Sequence, residues 1–259
     1  MGVNMQRRPL IAGNWKMHTT LAEARELAEA VARSAATAEG RDVMIAPPFT
    51  ALAEVSRALR GSTVLLAAQN VCWAEQGAFT GEISPVMLRS LGCDAAIVGH
   101  SERRHIFGES DDLINKRLKG AMALGVAPVF CIGETLAERE AGHTFEVLER
   151  QLRLGLADIV SADPARLITA YEPVWAIGTG KTATTGQAQE AHAFIRGVLT
   201  SLFEKSVADQ IRILYGGSVN SENVDMLMAE PDVDGALVGG ASLKPESFHL
   251  IMHFQGKNA

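Results

Sequence analysis

Short apolar runs recur along the chain. Leu10 to Asn14, Val43 to Ala46, Thr63 to Ala68 and Ala95 to Val98 are rich in Ile, Val, Leu and Ala, and such runs return at Val126 to Ile132, Leu167 to Tyr171, Ile211 to Leu214 and Gly235 to Val238. They are nearly continuous rather than alternating, the pattern of strands covered on both faces. Between them lie apolar positions at helical spacing, such as Leu21, Ala24, Leu27, Ala28 and Val31, or Leu148, Leu152, Leu156 and Ile159. Strand and helix therefore alternate throughout. Eight such units predict an α/β fold with a parallel sheet closed into a (β/α)8 barrel, because right-handed crossovers lay the helices outside the sheet. An open doubly wound sheet is the alternative, but no G-x-G-x-x-G follows the first strand to support it. We expect one domain spanning residues 1–259.

Composition narrows the partners. At 259 residues and 47% hydrophobic, the chain can bury a large core. A formal charge of -6 without any run of Lys or Arg argues against a nucleic-acid surface. Cys72, Cys93 and Cys131 are odd in number and lack metal-ligand spacing, which speaks against a disulfide framework or zinc site and fits a reducing compartment. The opening MGVNMQRRP has no apolar core region, so no signal peptide is expected, and no apolar stretch is long enough to span a bilayer. The expected location is cytoplasmic, with no membrane partner.

In a barrel, whatever follows the carboxyl end of each strand faces one pocket, so candidate chemistry can be collected by position. The sixth run ends in Glu172-Pro173, and Gly178 and Gly180 punctuate the loop up to Lys181. Pro173 biases Glu172 toward extended backbone, which places a carboxylate at the hinge of a loop able to close. A strand-capping acid before an ordinary surface loop is the plainer alternative. The first run ends in Asn14-Trp15-Lys16, where alternation puts Asn14 and Lys16 on one side and Trp15 on the other. The fourth ends in Gly99-His100-Ser101-Glu102-Arg103-Arg104, a polar cluster that also reads as a helix start with Ser101 as cap. His100 would then lie near the positive end of a helix, which favours a neutral ring. The last two runs end in Gly216-Gly217-Ser218 and Gly239-Gly240, where bare backbone N–H groups and a short helix after Gly240 could receive a phosphate. Turns alone also explain glycine pairs.

Taken together, GNWKM at 13–17, GAFTGEIS at 77–84, GHSERR at 99–104, YEPVWAIGTGK at 171–181, YGGSV at 215–219 and LVGGASL at 237–243 resemble the triosephosphate isomerase family, in order and over essentially the whole chain. The resemblance implies a TIM barrel that interconverts dihydroxyacetone phosphate and D-glyceraldehyde 3-phosphate through an enediolate, with no redox or metal cofactor. It implies Glu172 as the base at carbon, His100 as the neutral acid moving protons between two oxygens, and Lys16 and Asn14 as groups that stabilise the enediolate and orient substrate. Gly178, Ser218, Gly239 and Gly240 would hold the phosphate, under a lid formed by Pro173 to Lys181. Glu102 would act behind these groups, and Cys131 would pack. The remaining histidines, His18, His105, His143, His192, His249 and His253, are expected to face solvent or to pack. The segment Asn70 to Ser84, with Val71, Trp73, Ala78 and Phe79, is too apolar for a free surface loop. It folds back on its own barrel or, as the resemblance implies, inserts into a second copy to give a homodimer in which Thr80 supports the neighbour's Asn14 and Glu102. The residues before Arg8 match no motif, and VCWAEQ within that segment is not diagnostic.

Two other readings make distinct demands. A different phosphosugar barrel would keep the glycine pairs without all of Lys16, His100 and Glu172. A catalytically silent barrel that only binds a phosphorylated ligand would have one of the three replaced. All three are present.

Overall fold

A computed structural model describes residues 7–159, 166–178 and 182–256. The strands are β1 (Leu10–Asn14), β2 (Asp42–Ala46), β3 (Leu65–Ala68), β4 (Ala95–Val98), β5 (Ala127–Ile132), β6 (Ile168–Tyr171), β7 (Arg212–Tyr215) and β8 (Gly235–Val238). They pair in sequence order, all parallel, and β8 returns to β1 with Leu10 opposite Gly235 and Gly13 opposite Val238. The chain is thus a closed (β/α)8 TIM barrel. Each predicted run overlaps its strand to within one residue at either end, β2 starting one residue earlier at Asp42 and β7 running one residue further to Tyr215, except at Thr63 and Val64, which lead into β3 without belonging to it.

The continuity of the apolar runs has a direct structural cause. Successive side chains on a strand point to opposite faces, and here both faces are covered. Leu10, Ala12, Met44, Ala46, Ala67, Ala95, Ile97, Val129, Cys131, Ile168, Ala170, Leu214 and Leu237 fill the barrel interior. The positions between them, such as Ile11, Val43, Ile45, Ala96, Val98, Phe130, Ile213 and Val238, join the helices in a second, outer core. Trp15 is fully buried in that outer layer, on the opposite side from Asn14.

Helix Leu21–Ala35 opens with a capping box between Thr20 and Glu23 and buries the predicted Ala24, Leu27, Ala28 and Val31. Helix Thr144–Gly155 buries Leu148 and Leu152 but stops at Leu156, so Ile159 packs from beyond its end. Among the described residues no helix is long and apolar enough to cross a membrane.

Candidate active site

The inner face of the barrel supplies the site by extension. Asn14 continues the series Leu10 and Ala12, and Glu172 continues Ile168 and Ala170, so each emerges at the carboxyl rim pointing inward. Gly216 and Gly239 continue Leu214 and Leu237 in the same way. Their lack of a side chain makes room: a Cβ on Gly216 would lie 2.9 Å from Glu172 Cγ, and one on Gly133 only 1.7 Å from the Glu172 carbonyl oxygen.

His100 reaches the site differently. It has the parity of Ala96 and Val98, which face outward. Gly99 between them adopts φ 74°, a left-handed turn that redirects the chain and brings the imidazole inward. His100 and not Ser101 is the cap of helix Ser101–His105, contrary to the sequence expectation, because its Nδ1 accepts the Glu102 N–H at 3.2 Å. Lys16 is also left-handed, at φ 52°, a conformation that costs a non-glycine residue energy.

One cavity of about 510 Å³ is lined by Asn14, Lys16, His100, Glu172, Gly178, Ser218, Gly239 and Gly240, together with His18 and Asn220 at its margin. Every predicted site residue therefore meets in a single space. Glu172 Oε1 lies 3.0 Å from His100 Nε2, and Oε2 accepts the Ser101 N–H at 2.8 Å. Lys16 Nζ donates to Glu102 Oε1 at 2.6 Å. Burial pushes the Glu172 carboxyl up, but His100, the Ser101 N–H and Lys16 outweigh it and hold the group below the ordinary carboxylate value. It is ionised at neutral pH.

The imidazole feels opposing pulls. Burial disfavours its cation, while Glu172 and Glu102 favour it and carry the balance above the ordinary histidine value. The Glu102 N–H settles the tautomer, since the nitrogen that accepts it carries a lone pair and the proton sits on Nε2, facing Glu172. A second proton would set donor against donor at Nδ1. In this arrangement Nε2–H donates to the Glu172 carboxylate, and the bond at Nδ1 works against the pull of the two carboxylates toward the cation.

Behind the site, Cys131 is fully buried in the inner core, and burial, reinforced by Glu172, lifts its thiol well above the ordinary value. It stays protonated and packs. Among the other histidines, His192 is fully buried against the Tyr171 ring, His253 is half-buried, and His18, His105, His143 and His249 are exposed, with His18 at the cavity mouth.

Two residues that the sequence did not single out organise the rim. Glu134 is fully buried and its carboxylate receives the Tyr171 hydroxyl at 3.1 Å, the Trp175 indole N–H at 2.8 Å and Arg139 at 3.0 Å. Arg139 also stacks 4.6 Å from the centre of the Trp175 ring. Glu134 thereby fixes the first turn of the Glu172 loop, Val174–Ala176; a carboxylate just past the end of β5 was the available signal. The second is Gln69, whose amide donates to the Lys16 and Ala46 carbonyls at 2.7 and 2.9 Å. The loop itself is described as far as Gly178, at φ 68°; Gly180 and Lys181, in the predicted lid, lie outside the described residues. At the opposite rim Gly239 caps the short turn Gly240–Leu243, closed by Ser242 Oγ donating to the Gly239 carbonyl at 2.7 Å.

Comparison with known proteins gives this geometry a family. The family model described as triosephosphate isomerase matches residues 9–255. Proteins named triosephosphate isomerase from Pelobacter propionicus, Citrifermentans bemidjiense and Geotalea uraniireducens are 52%, 55% and 54% identical to this chain. Each alignment covers 96% of this chain and 99–100% of the relative. With a closed barrel, a buried carboxylate–imidazole pair and glycine turns around one cavity, this chain belongs to the triosephosphate isomerase family.

Proposed function

We propose that Glu172 and His100 are the base and acid of the reaction this chain catalyses, the interconversion of dihydroxyacetone phosphate and D-glyceraldehyde 3-phosphate. A proton on carbon next to a carbonyl is weakly acidic, so its removal needs a placed base and a group that stabilises the oxygen as charge develops there. Glu172 takes the proton from C1 of the ketone and returns it to C2. His100 gives its Nε2 proton to the oxygen on C2 and receives one from the oxygen on C1, which balances the exchange without external protons. The Lys16 ammonium faces the developing oxyanion. Asn14 has its carbonyl engaged by the Lys16 N–H at 3.0 Å and turns its amide N–H2 to substrate. The phosphate lies against the Gly239–Gly240 turn, Ser218 and the Gly178 N–H, which supply backbone donors without demanding a charged cradle. The reaction needs no redox or metal group.

The observation that carries this reading is the 3.0 Å contact between Glu172 and His100 beside Lys16 in one cavity. Both carboxylate oxygens are engaged, Oε1 by His100 and Oε2 by the Ser101 N–H, so the His100 contact must give way before Glu172 can reach carbon. A coupled assay of Glu172→Asp tests it. Retracting the carboxylate by one methylene should lower kcat by about a hundredfold or more with KM within a few-fold. Equal loss in KM with kcat intact would assign Glu172 to binding instead.

A homodimer is the second part of the proposal. Met17, Phe79, Ile106 and Phe107 are 93%, 37%, 72% and 66% exposed. Side chains link Phe79 to Phe107: Phe79 packs on Trp73, Trp73 on Arg117, Arg117 pairs with Glu109, Glu109 with Arg103, and Arg103 lies over Phe107. A second copy covering this face would bring the tip at Thr80 to the neighbour's Asn14 and Glu102. Three buried, unpaired thiols support a cytoplasmic setting.

A further inference from the structure

Lys16 supplies the ammonium of the proposed site, yet its own backbone holds it at φ 52°. Side chains rarely adopt that region, and a lysine offers no local hydrogen bond to favour it. Something outside the residue must hold it there. Three bonds do so. The Lys16 N–H donates back to Asn14 Oδ1 at 3.0 Å. The Trp15 N–H donates to the Ala46 carbonyl at 3.1 Å, a last rung between the ends of β1 and β2. The Lys16 carbonyl, on the far side of the left-handed turn, is taken by Gln69 Nε2 at 2.7 Å.

The first two bonds fix the approach to Lys16, and only the third acts after it. Gln69 uses its second N–H on the Ala46 carbonyl at 2.9 Å, so one amide ties the strained residue to the end of β2 from its own place just past β3. Its orientation is unambiguous, because turning the amide over would set its oxygen against two carbonyls. No other side chain among the described bonds reaches the Lys16 carbonyl. The ammonium pairs with Glu102 instead, and Gln69 does not line the cavity.

We infer that Gln69 is a positioning residue for catalysis: it holds the left-handed backbone of Lys16 so that the ammonium stands over the developing oxyanion. The inference rests on the reading of Lys16 as a site residue. Without the clamp, Lys16 relaxes toward a right-handed or extended backbone, and its side chain leaves the direction shared by Asn14. Substrate is then held less well and its enediolate less well still, since stabilisation of developing charge depends on placement.

Three variants test this. Gln69→Met keeps the volume and removes both donors; it should lower kcat/KM by about tenfold or more, with kcat falling and KM rising together, measured well below its thermal midpoint and at the wild-type sedimenting mass. Gln69→Glu adds a pH readout that a merely structural role would not produce. Ionised, its carboxylate opposes two carbonyls; protonated, it restores one donor, so its activity relative to wild type should rise as pH is lowered. Lys16→Met separates this inference from the one beneath it. If Lys16→Met is active, the reading of Lys16 falls. If Lys16→Met is inactive while Gln69→Met stays within twofold of wild type, or Gln69→Glu follows the wild-type pH profile, the positioning role is overturned. A fall in thermal midpoint alone, with unchanged turnover per folded molecule, overturns it equally.

Discussion

His192 is fully buried, its Nδ1 against the Asp232 carbonyl at 3.2 Å and its ring edge-on to Tyr171. Burial drives its pKa down to about 4. The unfolded chain, with an ordinary histidine near 6.5, binds a proton between these values that the folded chain refuses. Stability from this residue is therefore complete above about pH 6.5 and falls as pH drops toward 4, by about 3 kcal/mol in all. In urea unfolding, His192→Gln should cost about 1–3 kcal/mol at pH 7.5, and the gap to wild type should narrow as pH falls to 4.5. A gap that stays constant would mean that His192 is charged in the fold. The sequence left this histidine as packing or exposed, and nothing local told the two apart. Asn14, Lys16 and Glu172 were legible because they stand at the ends of apolar runs, where position alone gives direction. Gln69 and Glu134 also stand just past apolar runs, but their roles were not legible, because each acts through bonds to residues far along the chain.

At the scale of elements, a strand's alternation predicts which residues enter the pocket until a glycine resets it. β4 shows this. Its parity would turn His100 outward, and only the left-handed Gly99 delivers it to Glu172. Alternation could not place His100 from the sequence, and the GHSERR resemblance supplied what local pattern could not. Gly99 cannot be replaced cheaply: a Cβ there would lie 3.2 Å from the Cys131 carbonyl and from Arg104 Nη2, on a backbone that side chains avoid. Gly99→Ala should cost about 1–2 kcal/mol of stability. Its larger effect should be on turnover, because either response to the strain, a shift of the rim or relaxation of φ, swings the imidazole away from the carboxylate. We expect kcat to fall more than about tenfold, read by coupled assay beside a urea unfolding curve. A stability loss with full turnover would show that the rim holds His100 without Gly99.

At the scale of the molecule, closure of the barrel was readable from eight apolar runs alternating with helical segments, but its exposed faces were not, since an apolar loop reads alike whether it folds back or reaches out. In the structure the base and the tip of this loop differ residue by residue. In the segment after β3, Val71 and Cys72 are buried and the Cys72 N–H pairs with the Ile83 carbonyl at 2.8 Å, which pins the base of the loop to its own barrel. Its tip, from Glu75 to Gly81, remains exposed. The tip carries Phe79, and Met17, Ile106 and Phe107 are exposed as well, apolar surface that the proposed second copy would shield from water. Met17 directly follows Lys16, so this surface adjoins the site, and association and turnover should be coupled. Phe79→Asp places a charge in the contact while leaving the base of the loop intact. It should halve the mass in sedimentation and reduce specific activity by about tenfold or more, with far-ultraviolet circular dichroism unchanged. Raising its concentration should restore mass and activity in parallel if the defect is association alone. A variant that keeps the dimer mass would remove Phe79 from the interface, and a fully active monomer would uncouple the site from the contact.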